Sequence, residues 1–166
     1  MPARRLLLVC GVGLLAGCGF KLRGAPELAF ASLYVAVPAT SGLGRELKRN
    51  LASIGTLQLI EDPKLQPGAQ AILDIVSEQR EKAVVGVNAS GQVRELQLRL
   101  RLRFRLRDAH GKELIAETEL LQQRDISFNE TAALAKEAEE ALLVRDMQSD
   151  IVQQLLRRLA AVKSTR

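Results

Sequence analysis

Between Leu96 and Leu106 every even position is apolar, and from Arg99 to Arg107 every odd position is arginine. A period of two puts Leu96, Leu98, Leu100, Leu102, Phe104 and Leu106 on one face of a β-strand and the arginines on the other. The strand predicted here covers Arg94 to Arg107. Upstream, Leu33, Val35 and Val37 alternate with Ser32, Tyr34 and Ala36 in a first strand that Pro38 stops. Leu43, Leu47, Leu51 and Ile54 then recur at helical spacing, with Thr40 or Ser41 available as a cap and Gly55 as a stop.

The turn-rich EDPKLQPG reads as a loop, followed by a strand in which Ala71, Leu73 and Ile75 share a face; it runs on through VSEQREKAVV. Asn88 to Gln92 make a polar break before the arginine strand. DAHGK, with Gly111, forms a hairpin loop into a further strand, ELIAETELL. From Thr131 to Val162 the pattern is helical, with Leu134, Ala138, Ala141, Ile151, Leu155 and Leu159 on or near one face and Asn129 or Thr131 as cap. The order β-α-β-β-β-α predicts an α+β sandwich, in which a four-stranded, mostly antiparallel sheet carries two helices on one face.

The N-terminus changes the picture from a fold to a location. Arg4 and Arg5 precede the apolar run LLLVCGVGLLAG, which is too short for the roughly 20 residues that a spanning helix needs. Leu15-Ala16-Gly17-Cys18 resembles the bacterial lipoprotein box. Residues 1–17 are thus expected to be a signal peptide, 18–28 an acylated tether, 29–163 a single domain and 164–166 a short tail. Cys18 would carry a diacylglycerol thioether and an N-acyl chain such as palmitate, enough for stable anchoring. Gly19 stands where sorted lipoproteins retained at the inner membrane carry aspartate, so the outer membrane is expected. Cys10 falls in the removed segment, leaving no partner for a disulfide.

Charge adds less than the arginine row suggests. The whole chain carries +5, and without Arg4 and Arg5 the balance is 22 basic against 19 acidic residues, or +3. On the predicted hairpin, one register sets Arg107 opposite Glu113, Arg103 opposite Glu117 and Arg101 opposite Glu119. Cross-strand pairs of this kind contribute about 0.2–1 kcal/mol each. Asp74 and Glu78 share the parity of the polar face on the preceding strand, so five carboxylates are expected to face five arginines.

Familiar catalytic constellations are missing. His110 is the single histidine and lies in the hairpin loop, and Cys18 is the one cysteine beyond the signal segment. Neither a nucleophile–histidine pair nor a His/Cys metal site follows from that inventory. Aromatic residues make up 3% of the chain, with no Trp, which leaves no stacking platforms for bases; nucleic acid is not an expected partner and no cofactor beyond the acyl chains is implied.

Taken together, CGFKLRG after the lipobox, the order of elements and ALAKEAEEALLVRDMQSDIVQQLLRRL in the last helix resemble the LptE family of lipopolysaccharide-assembly lipoproteins. The resemblance implies an outer-membrane lipoprotein, not an enzyme, on the periplasmic side of that membrane. It implies a plug in the lumen of the β-barrel LptD, aiding the barrel's assembly and the insertion of lipopolysaccharide into the outer leaflet. Direct lipopolysaccharide binding is implied too, through basic residues near the loop before the arginine strand and at the start of the last helix. Lys136 matches the helix position. At the loop the neutral NASGQ departs from the family pattern, with Ala89 nearest by spacing, and Arg94 or Lys82 stands in as the candidate. Arg99, Arg101, Arg103 and Arg105 are the candidates for facing the barrel lumen. An alternative is a periplasmic lipoprotein acting only as assembly chaperone or pilot for another outer-membrane protein.

Overall fold

A computed structural model describes residues 28–129 and 133–163. Cys18, the signal segment, the tether up to residue 27, Thr131 and the tail from 164 lie outside the described residues. The elements are β1 (Ser32–Ala36), α1 (Gly42–Ala52), β2 (Gln58–Ile60), a 3₁₀ helix (Pro63–Gly68), β3 (Ala71–Val87), β4 (Val93–Asp108), β5 (Glu113–Ser127) and α2 (Ala133–Ala160). Among the described residues the sheet has five strands in the order β2-β1-β3-β4-β5, not the four expected. The additional strand, β2, is only three residues long, so alternation cannot announce it. It pairs parallel to β1 across the α1 crossover.

The β1–β3 pairing is also parallel, while β3–β4 and β4–β5 are antiparallel ladders that make up most of the sheet. At about 3.3 Å per residue, the 17 residues of β3 extend for roughly 56 Å. Because β1 ends at Ala36, opposite Asp74, the second half of β3 projects beyond β1 alongside β4. Gly91 and Gly111 take φ of 78° and 86° in the two hairpin turns, a region that suits glycine.

Both α-helices cover the leucine face. Leu43, Leu47 and Leu51 from α1 and Met147, Ile151, Leu155 and Leu159 from α2 meet Leu98, Leu100, Leu102, Phe104 and Leu106 in one aliphatic core. Ser41 caps α1, its hydroxyl accepting from the Gly44 amide at 2.8 Å. On the opposite face a small apolar cluster of Tyr34, Ala69 and Ile72 lies next to the 3₁₀ helix. The rest of that face carries the arginines.

One element departs from its expected packing. Spacing places Leu134, Ala138 and Ala141 on the face of Ile151 and Leu155, but all three are exposed, Leu134 to 83%. Following the buried stripe of α2 back from Leu155 through Ile151, Met147 and Leu143 leads instead to Glu140 and Lys136, both only half-buried. The first third of α2 therefore turns charge toward the sheet and apolar side chains toward solvent.

Candidate functional site

Two irregularities in the sheet decide where the charged side chains go. In β3, Ile75 pairs with Phe104 but Ser77 with Arg103, leaving Val76 as an extra residue. Such a bulge exchanges the faces of everything that follows it. Asp74 stays on the arginine face, but Glu78, Arg80 and Lys82 pair with Leu102, Leu100 and Leu98 on the helix side. The expectation that Glu78 faces the arginines is thereby corrected: its carboxylate accepts from the Ser41 hydroxyl at 2.6 Å, at the start of α1.

The second irregularity slips the β4–β5 ladder between Phe104 and Arg107. Arg107 does stand opposite Glu113, as expected, but Arg103 is opposite Glu119 and Arg101 opposite Leu121. The two shifts together preserve parity, so the arginines still meet the expected carboxylates diagonally. Arg103 pairs with Glu117, and Arg101 approaches Glu119 at 3.8 Å. Arg105 and Arg107 both donate to Asp74, at 3.0 and 2.8 Å. Burial alone would push the Asp74 carboxyl up, yet the hydrogen bonds and positive charges of Arg107 and Arg105 outweigh it and hold the group below its ordinary value. The same hydrogen bond raises Arg107.

Arg99 donates to Gln97 at 2.7 Å, and Gln97 in turn donates to Asp125 at 2.8 Å. Glu81 occupies the position across from Arg99. The open sheet face is accordingly a charged surface neutralised by its own carboxylates, and it presents no excess of positive charge.

The other candidates come together where the sequence separates them. Lys82 of β3 and Lys136 of α2 line one cavity of about 130 Å³, walled on its apolar side by Leu96, Ile126 and Phe128. Each lysine is already held. Lys82 donates to Glu140 at 2.6 Å; Lys136 donates to Glu139 at 2.8 Å and to the Ser127 hydroxyl at 3.1 Å. The i,i+4 partner that spacing offers Lys136, Glu140, is thus taken by Lys82, and Lys136 uses an i,i+3 pair. Glu137 joins Glu140 as a second carboxylate in the cavity lining. Val84, directly across from Leu96, is an exposed apolar residue next to the cavity wall. Arg94 stays outside the cluster, exposed, with a 3.4 Å contact to Gln92.

Spacing names Glu140 only as an i,i+4 partner for Lys136; its pairing with Lys82 on β3 is what sequence reasoning missed. Its signal was present as a charge at the i−7 position from Met147, on the stripe that packs against the sheet. His110 lies in the β4–β5 turn, exposed, its backbone amide bonded to Asp108.

Comparison with known proteins matches residues 30–159 to the LptE family model, described as lipopolysaccharide-assembly. The LPS-assembly lipoprotein LptE of Yersinia enterocolitica serotype O:8 / biotype 1B is 30% identical, over 98% of this chain and 78% of the relative. The chain belongs to the LptE family.

The LptE-like fold agrees with solved structures. The solution structure of lipoprotein B from Nitrosomonas europaea is 39% identical, covers 86% of this chain and 91% of its own, and superposes with a TM-score of 0.73. A minor lipoprotein from Acinetobacter baumannii, 21% identical over 81% of this chain and 94% of its own, shares the fold with a TM-score of 0.64. Membership of the LptE family carries a role in lipopolysaccharide assembly.

Proposed function

We propose that this chain is an outer-membrane lipoprotein, anchored by acyl chains on Cys18, that forms a plug-like complex with the LptD barrel. There it assists the barrel's assembly and the insertion of lipopolysaccharide, and it binds lipopolysaccharide directly. The observation that carries the binding reading is the convergence of Lys82 and Lys136 on one cavity with an apolar wall, in a chain of this family. Lipid A carries phosphates, which ammonium groups engage by charge-assisted hydrogen bonds, while its acyl part favours apolar surface. Arg94, at the same end of β4, contributes longer-range attraction only. In this reading the self-neutralised face of Arg99, Arg101, Arg103 and Arg105 meets the polar lumen wall, where water and polar groups keep its paired charges solvated.

The test is to purify the chain from the envelope and ask what comes with it. The expected result is a large β-barrel partner together with retained lipopolysaccharide, with Lys136→Asp weakening lipid retention without lowering the melting temperature. If the barrel complex forms normally but no lipopolysaccharide binds even at low salt, the protein is an assembly chaperone only. Photoreactive groups at Arg99 and Arg103 should label the barrel, and groups at Leu100 and Leu102 should not.

A further inference from the structure

Resting on that binding reading, we infer that Glu140 is an internal competitor for the lipid phosphate: the site is held closed by its own carboxylates until a stronger anion displaces them. The argument begins from the inverted helix. A stripe facing a sheet is most stable when apolar, and a charge pair placed there gains little over well-packed hydrophobic residues of similar size. Lys136 and Glu140 nevertheless occupy that stripe at the start of α2, while Leu134 and Leu142 face solvent at 83% and 61% exposure. Departures from local consistency of this kind concentrate at functional positions.

The electrostatics specify what the position does. Two lysines face the cavity, and Glu137, Glu139 and Glu140 lie around them, so the cluster as it stands has no positive charge to spare. Lys82 is committed to Glu140 and Lys136 to Glu139. A free anion approaching this cavity therefore meets ammonium groups that are already engaged. A phosphate monoester, with up to two charges and three acceptor oxygens, can take both lysines at once, which neither carboxylate does. Glu139 is already half exposed and returns to water at small cost once displaced, whereas Glu140, half-buried against the sheet, yields Lys82 only to a stronger anion. The apolar wall of Leu96, Ile126 and Phe128, extended by Val84, supplies burial for the hydrocarbon attached to such a headgroup. A small inorganic anion lacks that second contribution. Glu140 thereby sets selectivity for an amphiphile over free phosphate, and it acts on the ligand through Lys82.

Binding of purified lipopolysaccharide by the full chain tests this, with dephosphorylated lipopolysaccharide and inorganic phosphate as comparison probes. Glu140→Gln should tighten lipopolysaccharide binding roughly two- to fivefold, the share expected from freeing Lys82 from a part-exposed ion pair. Lys82→Gln should weaken it, and the Lys82→Gln/Glu140→Gln double variant should behave like Lys82→Gln alone. The gain from Glu140→Gln should vanish on the dephosphorylated lipid, and inorganic phosphate should bind the Glu140→Gln variant better than it binds the unsubstituted chain. Glu139→Gln, which frees Lys136, gives a second route to the same gain if Glu140→Gln melts early. If the unsubstituted chain binds lipopolysaccharide and neither glutamate variant binds more tightly, the competitor role is wrong and the binding reading stands. If the unsubstituted chain binds none, both are wrong.

Discussion

Replacing Asp74 by asparagine isolates the strongest charge cluster on the open sheet face without changing its shape. The carboxylate accepts from Arg105 at 3.0 Å and from Arg107 at 2.8 Å, and only 18% of the side chain is exposed. Hydrogen bonds to charged groups contribute about 1.5–3 kcal/mol when shielded, whereas exposed pairs contribute about 0–1. Arg105 reaches water and Arg107 less so, which places the loss at roughly 1–2 kcal/mol after screening, or about 3–8 °C in melting temperature for a domain of this size. The pH dependence has a definite sign. Because the folded-state pKa of Asp74 is depressed, its contribution is complete above the ordinary carboxylate value of about 3.9 and is lost as pH falls from there through the folded value. Thermal unfolding followed by circular dichroism should therefore show Asp74→Asn less stable at pH 7, with the gap to the unsubstituted chain closing only below about pH 4. Equal stability at pH 7, or a gap that persists unchanged in strong acid, would refute the assignment of the depressed titration to the Arg105–Asp74–Arg107 cluster.

Gly44 lies where α1 approaches Val37: a Cβ there would stand 2.5 Å from Val37 Cγ2 and 2.9 Å from Cγ1. Gly44→Ala should therefore cost about 1–3 kcal/mol in a denaturant melt, despite the roughly 1 kcal/mol gain in helix propensity. Along α2, Leu155→Ala should cost about 2–5 kcal/mol, whereas Leu134→Ser should change stability by no more than about 0.5 kcal/mol; a comparable loss at both would contradict the exposed first third of the helix.

What was legible in the sequence was whatever alternates or repeats over enough residues to be unambiguous. β4 is the plainest case, since six apolar residues at even positions leave no other period, and all six are buried. The core stripe of α1 and its cap at Ser41 follow from spacing and chemistry within one helical turn. β2 escaped because three residues carry no period, and its place at the sheet edge is set by pairing with β1 rather than by its own composition. The register of β4 on β5 was right at Arg107 and two residues off beyond it, because a slip between Phe104 and Arg107 leaves no mark on either strand's alternation once parity is restored.

The candidate site was harder to read because it depends on a single inserted residue. Ala71, Leu73 and Ile75 fix one face of β3, and carrying that phase forward sends Glu78 to the arginine face and Lys82 with it. Val76 exchanges the faces, and only then does Lys82 look toward α2 and meet Glu140, 58 positions along the chain. The clue was the next apolar pair across the ladder: Val84 has even parity and stands opposite Leu96, out of phase with Leu73 opposite Leu106. Between them SEQREK offers no apolar residue from which the change could be located, so the bulge becomes visible only when β4 supplies the partner. The residue that redirects the candidate lysine is thus an ordinary valine with no chemistry of its own. A charged side chain's role in this chain is set by the strand geometry beneath it before its own pKa or reach comes into play.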